Sequence, residues 1–338
     1  MLTIFLTTLQ QTSILLIFIL CGYFFRKKGL ITDEGRKTLA KLLVNFFAPA
    51  YSIISLSTVV TVQEIQKYLT MLLVGVVGAL VSVFLAFPFA KALAKNDKYR
   101  KNVFIYTFAL GNIGYFGYPL IDGVFGAVAK AQMMLLSVPF CVAIYSFGYH
   151  VLTQFPDEAN APKKEEKKPF IKRISFMYCP PMAGMYLGVA LGLLSSGLGF
   201  AIPTYVTKLV TPAGNCQSVP AMLITGAALA NVPLPKLFTS WKAYVIGLIR
   251  LLVYPAIIGA ICAIVYLCGW QSELFRRVAF LSIIVVAMPV GMNTVVYPES
   301  VGIDSTEGAK NCFISYIMAL ATLPLVFSVA QLLLNVAF

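Results

Sequence analysis

Two short stretches hold the side chains best suited to binding chemistry. "GNIGYFGYPL" (111–120) and "AMPVGMNTVVYPE" (287–299) each combine glycine, proline and one asparagine, and each contains Tyr-Pro, at 118–119 and 297–298. Asn112 and Asn293 can each donate and accept hydrogen bonds. The neighbouring glycines and prolines break a helix and free backbone N–H and C=O groups. A broken helix also exposes the N-terminus of its second half, worth about half a positive charge. Such an end can hold an anion without any formal cation. The expected site comprises Gly111, Asn112, Gly114, Tyr115, Gly117 and Pro119 with Pro289, Gly291, Asn293 and Thr294.

Both stretches sit in segments long and apolar enough to cross a bilayer. The 338 residues are 59% hydrophobic and 12% charged, with mean hydropathy +0.85. Soluble domains carry about 25% charged residues, so the composition is that of an integral membrane protein. One helical span needs roughly 20 apolar residues. Ten segments qualify, at about 4–25, 42–60, 68–90, 102–121, 131–152, 177–199, 209–230, 243–268, 277–297 and 312–335. The alternating ten-residue pattern of a barrel is not seen, and the expected fold is an all-α bundle of ten transmembrane helices. Each freed backbone group costs several kcal/mol if left in hydrocarbon. The breaks in spans 4 and 9 are therefore expected where protein, water or a ligand satisfies them.

The net charge of +13 does not point to nucleic acid. With residue 1 outside, the inner connections 26–41, 91–101, 153–173, 230–242 and 298–311 hold twenty of the 26 Lys and Arg, against five outside. That is the positive-inside bias, and it places both termini outside the cytoplasm. No basic stretch precedes the first span, so it reads as an anchor rather than a cleaved signal. The polar linker 153–173, with "KKEEKKPFIKR" at 163–173, separates 1–152 from 174–338. Five spans on each side is an odd number, so the second half must insert upside down relative to the first. Inverted repeats with interrupted spans at matching positions are a plan of secondary transporters, and the breaks mark the transport site.

Weaker echoes pair Asn45 and Pro49 with Asn215 and Pro220; Asn45, Asn215, Gln217 and Ser218 are expected as supporting polar groups. No acid falls well inside a span; Asp122 and Glu299 come closest and are the candidates for coupling. A cation binder would want a buried counter-charge, so the pattern favours an anion. The coupling ion, H+ or Na+, or its absence, stays open. Arg250 is the one charge clearly within a span and is expected to snorkel to the inner surface, or else to guide an anion or join an ion pair. The seven cysteines, with no CxxC, read as small buried hydrophobes rather than metal ligands. Catalytic motifs such as HExxH, GxSxG or a Walker lysine are missing, which argues against an enzyme, and no cofactor is implied.

At "GNIGYFGYPLIDGVFG" (111–126) and "AMPVGMNTVVYP" (287–298), and also at "RLLVYP" (250–255) and "ALATLPL" (319–325), the chain resembles the auxin efflux carrier family. The resemblance covers essentially the whole chain. It implies spans 4 and 9 crossing near the midplane, with a scaffold bundle and a mobile transport bundle. Asn112, Pro119, Asn293 and Thr294 match the family's crossover residues. The family carries organic anions, auxin in plants and small carboxylates such as malate or malonate in bacteria. The long hydrophilic loop of many plant carriers is absent, which points to a permease of a bacterial inner membrane. An anion channel or a ligand sensor of the same fold is the alternative. Kinship also hints at a homodimer.

Overall fold

The structure, a computed structural model, describes residues 2–95, 97–154, 179–300 and 303–336. Most of the expected linker 153–173 lies outside the described residues. The described chain is helical, with one isolated backbone bridge and no strand. In the first half, α1 is Leu2–Lys27, α2 Asp33–Leu42, α3 Ala48–Ser57, α4 Ile65–Ala94, α5 Lys98–Ala109, α6 Tyr118–Ala143 and α7 Tyr149–Leu152. In the second, α8 is Pro180–Leu198, α9 Thr204–Asn215, α10 Ser218–Leu229, α11 Leu234–Leu237, α12 Trp241–Leu248, α13 Tyr254–Leu267, α14 Glu273–Ala287, α15 Asn293–Ser300 and α16 Thr306–Leu334. Thr32, Asp97, Ser240 and Ser272 cap α2, α5, α12 and α14 with their side-chain oxygens.

Proline placement explains where helices deform. Wide π turns at Leu43–Phe47, Ile113–Gly117 and Ile249–Val253 each precede a helix whose second residue is proline: Pro49, Pro119 and Pro255. Proline has no N–H, and its ring clashes with the carbonyl four residues back. Widening the preceding turn to i→i+5 bonding accommodates the ring. Inside α6, Gly126 takes φ 83° and ψ −175°, a left-handed-side conformation that divides the helix into two arms.

Among the described residues, seven helical runs are long and apolar enough to span a membrane. The sequence suggests ten. The shortfall falls where expected spans are interrupted. Span 102–121 is split between α5 and the run from Ile113; span 209–230 becomes α9 and α10; span 277–297 becomes α14 and α15. α1 lies on α10 and on α16, α3 on α8 and α9, α4 on α5 and α6, α12 on α16, and α13 on α14. Small residues draw two of these contacts close. Gly184, Gly188 and Gly192 of α8 face the backbone of Pro49, Ser52 and Val60, and Gly226 of α10 faces Ile19. The cysteines are not uniformly buried as expected: Cys312 is buried, whereas Cys216 and Cys268 are exposed at helix ends.

Candidate functional site

The two interruptions meet. Leu110 leaves α5 in extended conformation, as Met288 leaves α14, and Gly111 and Val290 form an antiparallel backbone bridge. The Asn112 N–H donates to the Pro289 carbonyl at 2.8 Å. Backbone groups freed by one break are thus satisfied by the other and by the last helix. Val290 N–H donates to Ser315 Oγ at 3.0 Å, and Cys312 Sγ reaches Val290 O at 3.5 Å. Glycine at 111 makes room for Arg250, since a Cβ there would collide with its Nη2 and stand 3.0 Å from Met288 O.

Beyond the bridge, both chains become helical again with their N-terminal turns on one small cavity. Ile113, Gly114 and Tyr115 line it from the first half, and Gly291, Met292 and Asn293 from the second. Ala48 and Ser52 of α3, Met182 and Met185 of α8, and Gln217 close the other side. The cavity therefore lies between α3 and α8 on one side and the two breaks on the other. Its volume is about 60 Å³, enough for roughly four to six water-sized groups at roughly 10–15 Å³ each.

Asn112 is 4% exposed, lines the cavity and donates from Nδ2 to the Tyr316 hydroxyl at 2.8 Å. Asn293 is half-buried at the first residue of α15, facing Tyr106. Gly111, Gly114, Tyr115 and Gly291 also line the cavity. Gly117, Pro119, Pro289 and Thr294 stand behind it. Gly117 packs on Met133 and Met288, Pro119 starts α6, and Thr294 Oγ1 bonds Gly291 O at 2.9 Å. Among the supporting polar groups, Gln217 is buried, bonds Gly114 O at 3.3 Å through Nε2 and leaves Oε1 without a hydrogen-bond partner. Ser218 begins α10 and does not line the cavity. Asn45 and Asn215 depart from expectation: both are exposed, and Asn45 bonds Lys41 O of its own helix at 2.8 Å. Their helices turn them away from the cavity. Tyr316, Ser315 and Tyr106 support the site without any signal in the sequence, since Tyr and Ser in an apolar helix are ordinary.

The charges take unexpected partners. Arg250 does not snorkel. It is 1% exposed, with Nε donating to Met288 O at 2.9 Å and Nη1 to Phe108 O. Among the described residues no carboxylate pairs with it. Asp122 pairs with Lys130 at 2.8 Å, and that ammonium also lies 4.9 Å over the Tyr51 ring. Glu299 accepts from Arg36 at 2.8 Å, and from Asn231 and Ser305 at 3.0 Å. Neither acid lines the cavity. No group of three or more metal-ligating side chains occurs among the described residues.

Two interrupted helices meet over a small, mostly apolar cavity, and residues 8–327 match the family described as "Membrane transport protein". The chain belongs to that family. The resemblance to auxin efflux carriers read from the two Gly/Pro-rich stretches is thereby upheld, and this membrane transport protein is multi-pass. It is 22% identical over 312 residues to an uncharacterized transporter of Methanocaldococcus jannaschii, covering 92% of this chain and 95% of that protein. It is 21% identical over 323 residues to an uncharacterized transporter of Methanothermobacter thermautotrophicus, covering 95% and 98%.

Proposed function

We propose that this protein is a secondary transporter that moves small organic anions, mono- or dicarboxylates on the scale of malonate or malate, by alternating access. In this reading the ten segments form two inverted five-helix halves, 1–152 and 174–338, whose fourth and ninth spans cross at the Gly111–Val290 bridge. Both termini lie outside the cytoplasm of a bacterial inner membrane. The observation that carries the reading is the shared cavity. Two helix N-terminal turns and two asparagines open on it, and among the described residues no acidic side chain lines it. Positive helix ends with amide donors favour a carboxylate. The position of the cavity between α3 and α8 on one side and the two breaks on the other supports exposure to alternate sides when these elements move relative to one another.

The test is counterflow in proteoliposomes against mono- and dicarboxylates, amines and sugars, with imposed H+ or Na+ gradients to read coupling. Saturable counterflow of at least one carboxylate is expected. Linear, non-saturating flux would make the protein a channel, and binding without flux a sensor. Transport of amines or sugars with no carboxylate would overturn the anion assignment.

A further inference from the structure

We propose that Arg250 is a positioning and specificity residue that sets the charge of the binding site, making it selective for ligands of net charge −1. The proposal rests on the anion-transport reading above and narrows it from mono- or dicarboxylates to species that carry a single negative charge. Three observations carry it. Arg250 is buried in the middle of an apolar bundle, where an unpaired charge is expensive. Its guanidinium bonds the carbonyls of Phe108 and Met288, the C-terminal ends of α5 and α14, and so grips both broken helices at once. It also lies directly behind Gly111, which lines the cavity.

The charge balance follows from helix dipoles. Each C-terminal end carries about −0.5 and each N-terminal end about +0.5 of an elementary charge. The two C-terminal ends offset the guanidinium. The two N-terminal ends, at 113–117 and at Asn293, remain on the cavity side. The junction as a whole therefore carries about +1 by the same dipole reckoning. One carboxylate neutralises it. A neutral ligand leaves it uncompensated, and a dianion overshoots it. Lysine at 250 would keep the charge but lacks the planar fork that reaches two carbonyls. Glutamine would keep some hydrogen bonding and lose the charge.

The test compares Arg250→Gln and Arg250→Lys with the parent protein in proteoliposomes. The probes are lactate, its neutral amide lactamide, and the dianion succinate, at neutral pH. The parent is expected to favour lactate over both other ligands, by on the order of tenfold or more. Arg250→Gln should erase the preference for lactate over lactamide. Arg250→Lys should retain it while melting at lower temperature. A purely structural role would weaken all three ligands together and leave their ratios unchanged, which overturns the proposal. So does a parent preference for succinate over lactate. Parent protein that takes no carboxylate at all refutes the anion reading itself, a different outcome in a different sample. Should both Arg250 variants fail to fold, Tyr254→Glu takes their place. Tyr254 is four residues on along the same helical run, and its ring stacks on that of Phe108. A carboxylate there should cancel the charge without removing the clamp and erase the lactate preference; an unchanged preference overturns the proposal.

Discussion

Asn112→Ala separates a side chain that binds a ligand from one that merely props the break. The substitution leaves the bond from the Asn112 N–H to Pro289 O intact, because that bond is backbone. What is lost is the amide, with its 2.8 Å bond to the Tyr316 hydroxyl. Tyr316 is buried and its ring stacks on Phe116 at 5.6 Å, so the hydroxyl cannot turn out to water. Stranding it costs about 1–3 kcal/mol of stability. Loss of a hydrogen bond to a charged ligand costs a further 1.5–3 kcal/mol or so, in affinity rather than stability. That corresponds to a rise in KM of roughly tenfold or more. Tyr316→Phe is the control. It breaks the same bond from the other side but leaves the Asn112 amide in the cavity. Melting in detergent and carboxylate counterflow are measured on both. Both variants should melt lower, and only Asn112→Ala should lose tenfold in KM. Equal KM in the two variants, whether both weakened or both unchanged, would refute a direct role for Asn112 in binding.

The other half of the site should behave alike: Asn293→Ala is expected to raise KM about tenfold, whereas Asn45→Ala and Asn215→Ala, both exposed, should transport as the parent does, all read by the same counterflow assay. Glu299→Gln loses the ion pair to Arg36 (side chains 20% and 14% exposed) and should lower stability by about 1–3 kcal/mol. Arg36→Gln should cost a similar amount and the double variant little more, as measured by thermal unfolding. Gly226→Ala places a methyl on the backbone carbonyl of Ile19, which cannot yield, and should cost about 1–3 kcal/mol or more. Gly259→Ala, whose nearest neighbour is a side-chain methyl at 3.7 Å, should be close to neutral in the same melting assay.

The class of fold was legible because hydrophobic composition and span length are written in the residues themselves. The centre of the site was legible for a related reason. Glycine, proline and asparagine in mid-span announce backbone groups that need partners, and Asn112 and Asn293 both line the cavity. The partners were not legible. Asn112 meets Tyr316, 204 residues later, and Val290 meets Ser315 across a helix boundary. Only tertiary packing brings them together. Asn45 and Asn215 failed for a simpler reason. Near a proline each looks like Asn112, but the face of the helix decides the outcome, and Asn45 satisfies itself on the carbonyl of Lys41. Three interruptions also reduced ten expected spans to seven continuous ones, since an apolar window does not register where hydrogen bonding fails.

The formal charges near the breaks follow one physical rule with three outcomes. In hydrocarbon a charge persists only with a partner, so the sequence states the demand without naming the supply. For Asp122 the supply is local: Lys130 follows just beyond the turn at Gly126. For Glu299 it is 263 residues distant, in Arg36. For Arg250 it is no side chain at all but the carbonyls of Phe108 and Met288, which any residue would provide. A carboxylate facing Arg250 would have neutralised it fully. Carbonyl dipoles hold the guanidinium in place and only offset their own ends of the broken helices. The acids are occupied at their own ion pairs, away from the cavity. On the proposed anion-transport reading, the positive helix ends at the junction of the two breaks are left for whatever enters between Asn112 and Asn293, and a ligand that carries its own negative charge gains from them.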